Sequence, residues 1–269
     1  RIAEVANDFR FEASGALTGI ERARAFTQND SHIFCRPDQI GEEIKNVTKL
    51  ILDVYHDFRF EKYSFRLSLR DPNNKEKYFG HDDLWVKSES ELREVLKEMK
   101  VPYYEAEGEA AFYGPKIDVQ VKSALGHDVT LSTIQLDYQL PERFELEYVD
   151  NDGTKKRPVV IHRAILGSLD RFIAFLLEET KGILPLWLAP KQAVVIPVAP
   201  DAHTEYAKKI ASELKAMGIR ASVDDRNEKL GYRIREAQTK KIPVEIVVGD
   251  GEAANSSVTI RRYGSKEQN

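Results

Sequence analysis

The chain opens on alternation. From Ile2 to Glu12, the residues Ala3, Val5, Phe9 and Phe11 fall on one side of an extended strand, with Arg10 and Glu12 on the other. This predicts a strand with one core face and one chemical face. A polar loop, Glu12 to Arg24 with Gly15 and Gly19, leads to a second strand with Phe26, Gln28, Asp30 and His32 at spacing two, so all four project from one side. Pro37 to Phe58 carries Ile40, Ile44, Val47, Ile51 and Val54 at spacings of three and four, which predicts a helix on the back of the sheet. Tyr63, Phe65, Leu67 and Leu69 alternate as in a strand. Residues 71–82 are polar and rich in breakers, and Ser88 to Lys100 predicts a second helix.

A β-rich stretch follows, in which Ile117, Val119 and Val121 alternate with Lys116, Asp118 and Gln120. Gly126 makes a hairpin turn, and the return strand puts Leu131, Thr133, Gln135 and Asp137 on one face and Ile134, Leu136 and Tyr138 on the other. Asp150 to Lys156 is a turn. The strand through VVIHRA then runs into a helix whose Leu169, Phe172, Ile173, Leu176 and Leu177 form a stripe, with Arg171 off it. Pro185 and LAPKQ mark a boundary near residue 190. Beyond it the pattern predicts strand 193–198, helix 202–217, strand 219–224, helix 231–241, strand 244–248 and strand 257–262. Helix 202–217 has Tyr206, Ile210, Leu214 and Met217 as its stripe and Gly218 as its stop.

The fold expectation is an α+β domain over residues 1–190, an antiparallel sheet flanked by helices. A smaller α/β domain with a mixed, mostly parallel sheet follows over residues 191–269. A length of 269 residues suits two domains, and 42% hydrophobic with 31% charged residues predicts a soluble globular protein. No apolar run reaches about 18 residues and no leader pattern opens the chain, so the expectation is no membrane association and a cytoplasmic location. The single cysteine, Cys35, excludes an internal disulfide framework and fits a reducing compartment. A net charge of −4 argues against a surface that wraps nucleic acid as a whole, but leaves room for local basic patches. Because the first residues already alternate as a strand, the chain reads as a fragment of something longer.

The row Phe26, Gln28, Asp30, His32 unites an aromatic, an amide, a carboxylate and an imidazole. A solvent-facing strand also carries alternate polar residues, so the row alone leaves both readings open. His32 and His162 lie far apart, each on a predicted strand. The stretch DDRNEKLGYRIREAQTKKIP places Arg226, Lys229, Arg233, Arg235, Lys240 and Lys241 around one helix, which reads equally as a solvated face or as an RNA-facing one.

FRFE, then Arg22, then FTQNDSHIFC resemble the second motif of class II aminoacyl-tRNA synthetases, and TQxDxHIF is similar to the threonyl-tRNA synthetase form in particular. FYGPK, TIQLDYQLPERF, and Gly167 to Arg171 as a third motif extend the resemblance over nearly the whole chain. It implies a ligase that activates threonine with ATP and passes it to the 3′ end of threonine tRNA, with zinc as a cofactor, Mg²⁺ accompanying ATP, and a homodimeric assembly. It further implies that Arg10 holds the α-phosphate and the amino-acid carboxylate, while Arg22 and Arg171 serve the outer phosphates. Arginine suits this because its planar fork binds phosphate and carboxylate bidentately. Phe26 would stack on adenine, with Glu12 and Gln135 at the nucleotide. Gln28, Asp30, Tyr113, Lys116 and Ser168 would meet the amino acid.

In threonyl enzymes the positions of His32 and His162 ligate zinc together with a cysteine from the part of the family that precedes this stretch. Cys35, three residues from His32, points to the opposite strand face and reads as a small core residue. Zinc suits the selectivity problem, since an apolar pocket separates threonine from isosteric valine poorly. The resemblance also implies that the second domain binds the anticodon, with Asn227, Glu252 and Arg261 reading bases. Two alternatives remain: a sister class II enzyme, chiefly prolyl, and a non-catalytic RNA-binding regulator. Phe11 departs from the polar residue common there, and Glu245 is a charge on an otherwise apolar strand that the pattern leaves unexplained.

Overall fold

The computed structural model describes residues 1–78, 81–124 and 126–265; residues 79 and 80 of the expected loop lie outside them. Its contacts divide the chain into two units, Arg1–Glu178 and Glu179–Asn269. The first unit contains β1 (Ile2–Phe9), β2 (Ala25–Cys35), α1 (Ile40–Phe58), β3 (Tyr63–Leu69), α2 (Asp82–Glu98), β4 (Tyr103–Glu107), β5 (Lys116–Lys122), β6 (Asp128–Asp137), α3 (Gln139–Arg143), β7 (Tyr148–Val149), β8 (Lys155–Lys156), β9 (Val159–Ala164) and α4 (Leu169–Glu179). Seven of these strands form one sheet in the order β1-β2-β9-β6-β5-β3-β4. Its pairs are antiparallel except β3 with β4.

Helical periodicity decides what covers the back of this sheet. Ile40, Ile44, Val47, Ile51 and Tyr55 are buried along α1, which packs on α2 and β6. Tyr55 reaches through the core to Ser132, its hydroxyl 2.9 Å from the serine oxygen. The aromatic rings of Phe58 and Phe60 meet Phe172 of α4. Burial on α4 runs through Phe172, Phe175 and Leu176, whereas the expected stripe members Ile173 and Leu177 are exposed. The helix is rotated because Phe175 turns inward to the Phe60 ring.

Three further differences have physical reasons. β1 ends at Phe9, so Arg10 and Glu12 leave the ladder, and the side of β1 expected in the core is open, with Val5, Phe9 and Phe11 66%, 78% and 96% exposed. β1 is the edge strand, and alternation reports which residues share a side without reporting what covers that side. The second helix begins at Asp82 and not Ser88, because Trp85 and Ser88 are both buried and extend the apolar stripe one turn earlier. A β-bulge between Val119 and Gln120 leaves Leu131 without a partner on β5.

In the second unit β10 (Ala193–Pro197), α5 (Pro200–Ala216), β11 (Ala221–Val223), α6 (Leu230–Thr239), β12 (Val244–Val248), α7 (Asp250–Asn255) and β13 (Thr259–Arg262) build a four-stranded sheet in the order β11-β10-β12-β13. The first three strands are parallel and β13 is antiparallel. The expectation missed the short α7. On α5 the centre of the buried stripe is small, Ala207 and Ala211, flanked by Tyr206, Ile210 and Leu214, while Met217 is exposed just before the left-handed Gly218 (φ 82°). Segment 186–192 is tied to this unit: Arg220 donates to the carbonyls of Trp187 and Ala189, and Gln192 to that of Leu186.

Glu245 now has an explanation. It is fully buried on β12, where Gln238 of α6 donates to one carboxylate oxygen, and Arg261 of β13 stands 3.9 Å from the other. Burial pushes its carboxyl above the usual range, outweighing the Gln238 bond and the Arg261 charge. Folding therefore favours the protonated form, so the contribution of Glu245 is greatest at low pH and is lost as pH rises through its folded value. Glu245→Gln should raise the calorimetric unfolding midpoint near pH 7, and this gain should shrink on approaching about pH 4. An equal gain at both pH values would contradict a buried carboxylate cost.

Candidate functional site

The site-facing side of the large sheet is polar because strand pairing lines up the even-numbered residues of β2, β5 and β9 with Gln135 of β6. His32 of β2 lies opposite His162 of β9, and His162 opposite Gln135 of β6, while Lys116 of β5 pairs with Gln135 from the other side. A cleft of roughly 290 Å³ opens on this face. Of the residues expected at the site, Arg10, Glu12, Arg22, Phe26, Gln28, Lys116, Gln135, Ser168 and Arg171 line it together. They come from the segment after β1, the following loop, β2, β5, β6 and the start of α4.

Hydrogen bonds fix most of these side chains in place. The Arg10 amide donates to the Arg24 carbonyl at 2.8 Å, and its guanidinium lies over the Phe26 ring, 5.3 Å from the centroid. Arg22 is paired with Glu12 at 3.1 Å. Among the described residues the Arg171 side chain bonds only through Nε, to the Glu21 carbonyl (3.0 Å), which leaves its terminal nitrogens for a ligand. Gln28 bridges to Ser168, and the Asn29 amide donates to the Gly167 carbonyl at 3.0 Å, so β2 holds the start of α4. Gly167 is left-handed (φ 63°), and a Cβ there would stand 2.8 Å from the Leu131 carbonyl oxygen. Asp170 accepts the Thr27 amide at 2.9 Å, a second tie between the same elements.

Lys116 is held by Asp118, a buried carboxylate that also accepts from Arg66 and Ser68, both at 2.8 Å. Asp118 thus gathers two cations beside the cleft. Sequence reasoning gave it no role, although it sits in the same spacing-two row as Lys116.

The expected amino-acid and metal residues continue from the cleft in an unbroken line. Tyr113 donates to the Gln135 amide oxygen, and its ring lies 5.2 Å from that of His162. Burial and the nearby Asp137 and Asp30 charges push the Tyr113 hydroxyl pKa up, which keeps it a donor. The His162 and His32 rings meet edge to face at 4.7 Å, and His32 Nε2 stands 3.9 Å from Asp30. His162 Nε2 bonds at 2.8 Å to Asp137, which is wholly buried and whose other oxygen accepts the Gln139 and Leu140 amides. Because an ionised carboxylate only accepts, a neutral His162 paired with it carries its ring proton on Nε2 and keeps Nδ1 as a lone-pair donor. Asp137 also went without a role in the sequence reading, although its signal was present two residues after Gln135.

Among the described residues no three His, Cys, Asp or Glu side chains gather as a metal site. Cys35 is buried on the opposite strand face, and burial pushes its thiol up to about 11. Two imidazoles from adjacent strands, one oriented through a carboxylate, suit zinc as two of its ligands.

In the second unit, Asn227 is exposed in the loop after β11. Glu252 is in the first turn of α7, where its carboxylate accepts the Gly249 amide at 2.9 Å and the Thr259 hydroxyl at 2.7 Å. Asn227 and Glu252 therefore both follow the C-terminal ends of parallel strands. Arg261 lies further along β13, opposite Glu245. Of the basic group, Arg233 is wholly buried and so is not the solvated or RNA-facing cation expected, while Arg226 is exposed and paired with Asp224 and Glu236.

Comparison with known proteins matches residues 1–180 to the class II tRNA synthetase core domain of the G, H, P, S and T types, and residues 192–269 to an anticodon binding domain. A threonine–tRNA ligase of Staphylococcus carnosus is 60% identical over 268 residues, covering 100% of this chain and 41% of the relative. One from Staphylococcus aureus is also 60% identical, with 42% of its length covered. The chain thus spans about two fifths of the length of these curated relatives. Among solved structures, the RNA binding domain of threonyl-tRNA synthetase from Cryptosporidium parvum has a TM-score of 0.92 at 38% identity, covering 99% of this chain and 66% of that one. ThrRS-1 from Aeropyrum pernix, titled a putative threonyl-tRNA synthetase, gives 0.82 at 30% identity, covering 99% and 62%.

Tyr113 sits in a tight loop whose next residue touches β6. A Cβ on Gly114 would stand 1.8 Å from the Leu136 carbonyl oxygen, a backbone atom with no room to yield. Gly114→Ala should destabilise the first unit by about 1–3 kcal/mol, read as a shift in urea midpoint at unchanged slope. An unchanged midpoint would show that the loop and β6 do not pack this closely.

Proposed function

The chain belongs to the class II tRNA synthetase family, and from that membership we propose that it carries the catalytic and anticodon-reading parts of a threonine–tRNA ligase. The observation that carries the reading is the convergence of nine expected residues in one cleft, continuous through Tyr113 with the His32–His162 pair. We assign residues 1–190 to catalysis and 191–269 to anticodon binding. The relatives named threonine–tRNA ligase support threonine over the prolyl and regulatory alternatives.

In this reading the threonine carboxylate attacks the α-phosphorus of ATP, the bond to the β-phosphate oxygen breaks, and pyrophosphate leaves. A terminal ribose hydroxyl of threonine tRNA then attacks the threonyl carbonyl, and AMP leaves. The first step brings two anions together, so its rate depends on cations already fixed where charge builds. Arg10, carried at the end of β1 and over Phe26, lies at the α-phosphate and the carboxylate. Phe26 stacks on the base, with Glu12 and Gln135 around the nucleotide. Arg22 and Arg171 meet the outer phosphates, which Mg²⁺ accompanies. Gln28, Asp30, Tyr113, Lys116 and Ser168 surround the amino acid.

His32 and His162 would hold zinc, with Asp137 orienting the second, and the family's ligating cysteine is not Cys35. Bound zinc would supply an open position for the substrate amine and hydroxyl, a group that valine lacks. Asn227, Glu252 and Arg261 are the proposed anticodon readers, although Glu252 is also committed to Gly249 and Thr259. A homodimeric assembly and a cytoplasmic location complete the reading; among the described residues no helix is long and apolar enough to cross a membrane.

Arg171→Ala should lower threonine-dependent pyrophosphate exchange about 10²- to 10³-fold. Exchange at the parental rate would remove Arg171 from the triphosphate site, and exchange that responds to proline instead of threonine would overturn the assignment. Metal analysis of protein that also carries the family's ligating cysteine should find about one zinc per chain, reduced in His162→Ala. Undiminished zinc in that variant would exclude His162 as a ligand.

A further inference from the structure

Arg233 on α6 is 0% exposed, although the sequence places it in a basic, helix-forming stretch. Its guanidinium donates to three backbone carbonyls: Nη1 to Asp224 at 2.8 Å, Nε to Glu228 at 3.1 Å and Nη2 to Val198 at 3.2 Å. Among the described residues no carboxylate stands within ion-pair distance of it. A buried charge whose hydrogen bonds all go to backbone carbonyls is costly, and an apolar side chain would fill the space without that cost.

What the three bonds accomplish lies in where the carbonyls are. Val198 directly follows β10, and Asp224 and Glu228 bracket the exposed Asn227 in the loop after β11. Arg226 braces the same loop from outside, joining Asp224 and Glu236 at 2.7 Å each. The loop therefore carries an exposed amide on a backbone fixed from beneath. Such fixing removes the ordering cost that a loop otherwise incurs when it meets a ligand.

We propose that Arg233 is a positioning residue for tRNA reading: it never touches RNA, and it fixes the backbone of residues 224–228 so that Asn227 meets a loop base already oriented. The proposal rests on the reading of Asn227 as an anticodon contact. It also accounts for arginine and not lysine at this position, because three carbonyls in different directions match a planar fork and not a single ammonium.

A double-mutant cycle in the full protein tests it, with Asn227→Ala, Arg233→Lys and the pair, read as kcat/KM for aminoacylation of threonine tRNA. Each single change should cost about tenfold and the pair no more than the worse single change, because both remove the same contact. Penalties that multiply overturn the proposal and leave the anticodon reading intact. No effect of Asn227→Ala overturns the reading itself, and the proposal falls with it. A measurement on the unaltered protein stands apart from any folding defect of the variants: backbone ¹⁵N order parameters over residues 224–228 should match rigid backbone near 0.85, and values below about 0.6 would also overturn the clamp.

Discussion

The antiparallel register of β2, β9 and β6 is the constraint on which the first unit depends. It sets His32 against His162 and His162 against Gln135, and every other site-facing side chain of those strands follows at spacing two. A slip of one residue would send both imidazoles into the helix-covered core and bring Ile33 and Ile161 to the cleft. The helices oppose such a slip from behind: Ile33, Ile134 and Ile161 are buried there, and a pairing shifted by one residue cannot bury them while keeping the histidines outside.

Within each of the two units the charged groups fall into two kinds. Arg10 and Arg171 keep guanidinium nitrogens available at the cleft, while Asp118, Asp137 and Arg233 are buried and saturated by donors or acceptors of the protein itself. Asp118 gathers Lys116 and Arg66, Asp137 orients His162, and Arg233 gathers loop carbonyls, so each converts a flexible neighbour into a fixed one. Preorganisation of this type is what electrostatic catalysis and selective binding both require.

Much of this was legible in the chain. The rows Phe26, Gln28, Asp30, His32 and Lys116, Asp118, Gln120 could be read from alternation, and the helix of 40–58 from its periodicity. What periodicity hides is which side is covered. It placed Val5 and Phe9 in a core that the edge strand does not have, counted Met217 in a stripe whose centre is two alanines, and took Arg233 for a surface cation. Alternation also names a row without naming who bonds to whom, so Asp137 stood in view beside Gln135 with no role until His162 was brought against it. The resemblance to synthetases supplied roles for individual residues, which residue spacing by itself did not.

Gly167 shows how narrow the tolerance of such a frame can be. Its left-handed backbone and the Leu131 carbonyl beneath it make this one position answerable to two elements at once, the start of α4 and the bulged strand β6. Any side chain there would push the helix that carries Arg171 away from the sheet that carries Gln135. The cleft can therefore absorb changes among its lining side chains more readily than a single methyl at this glycine, which would move one of its two walls.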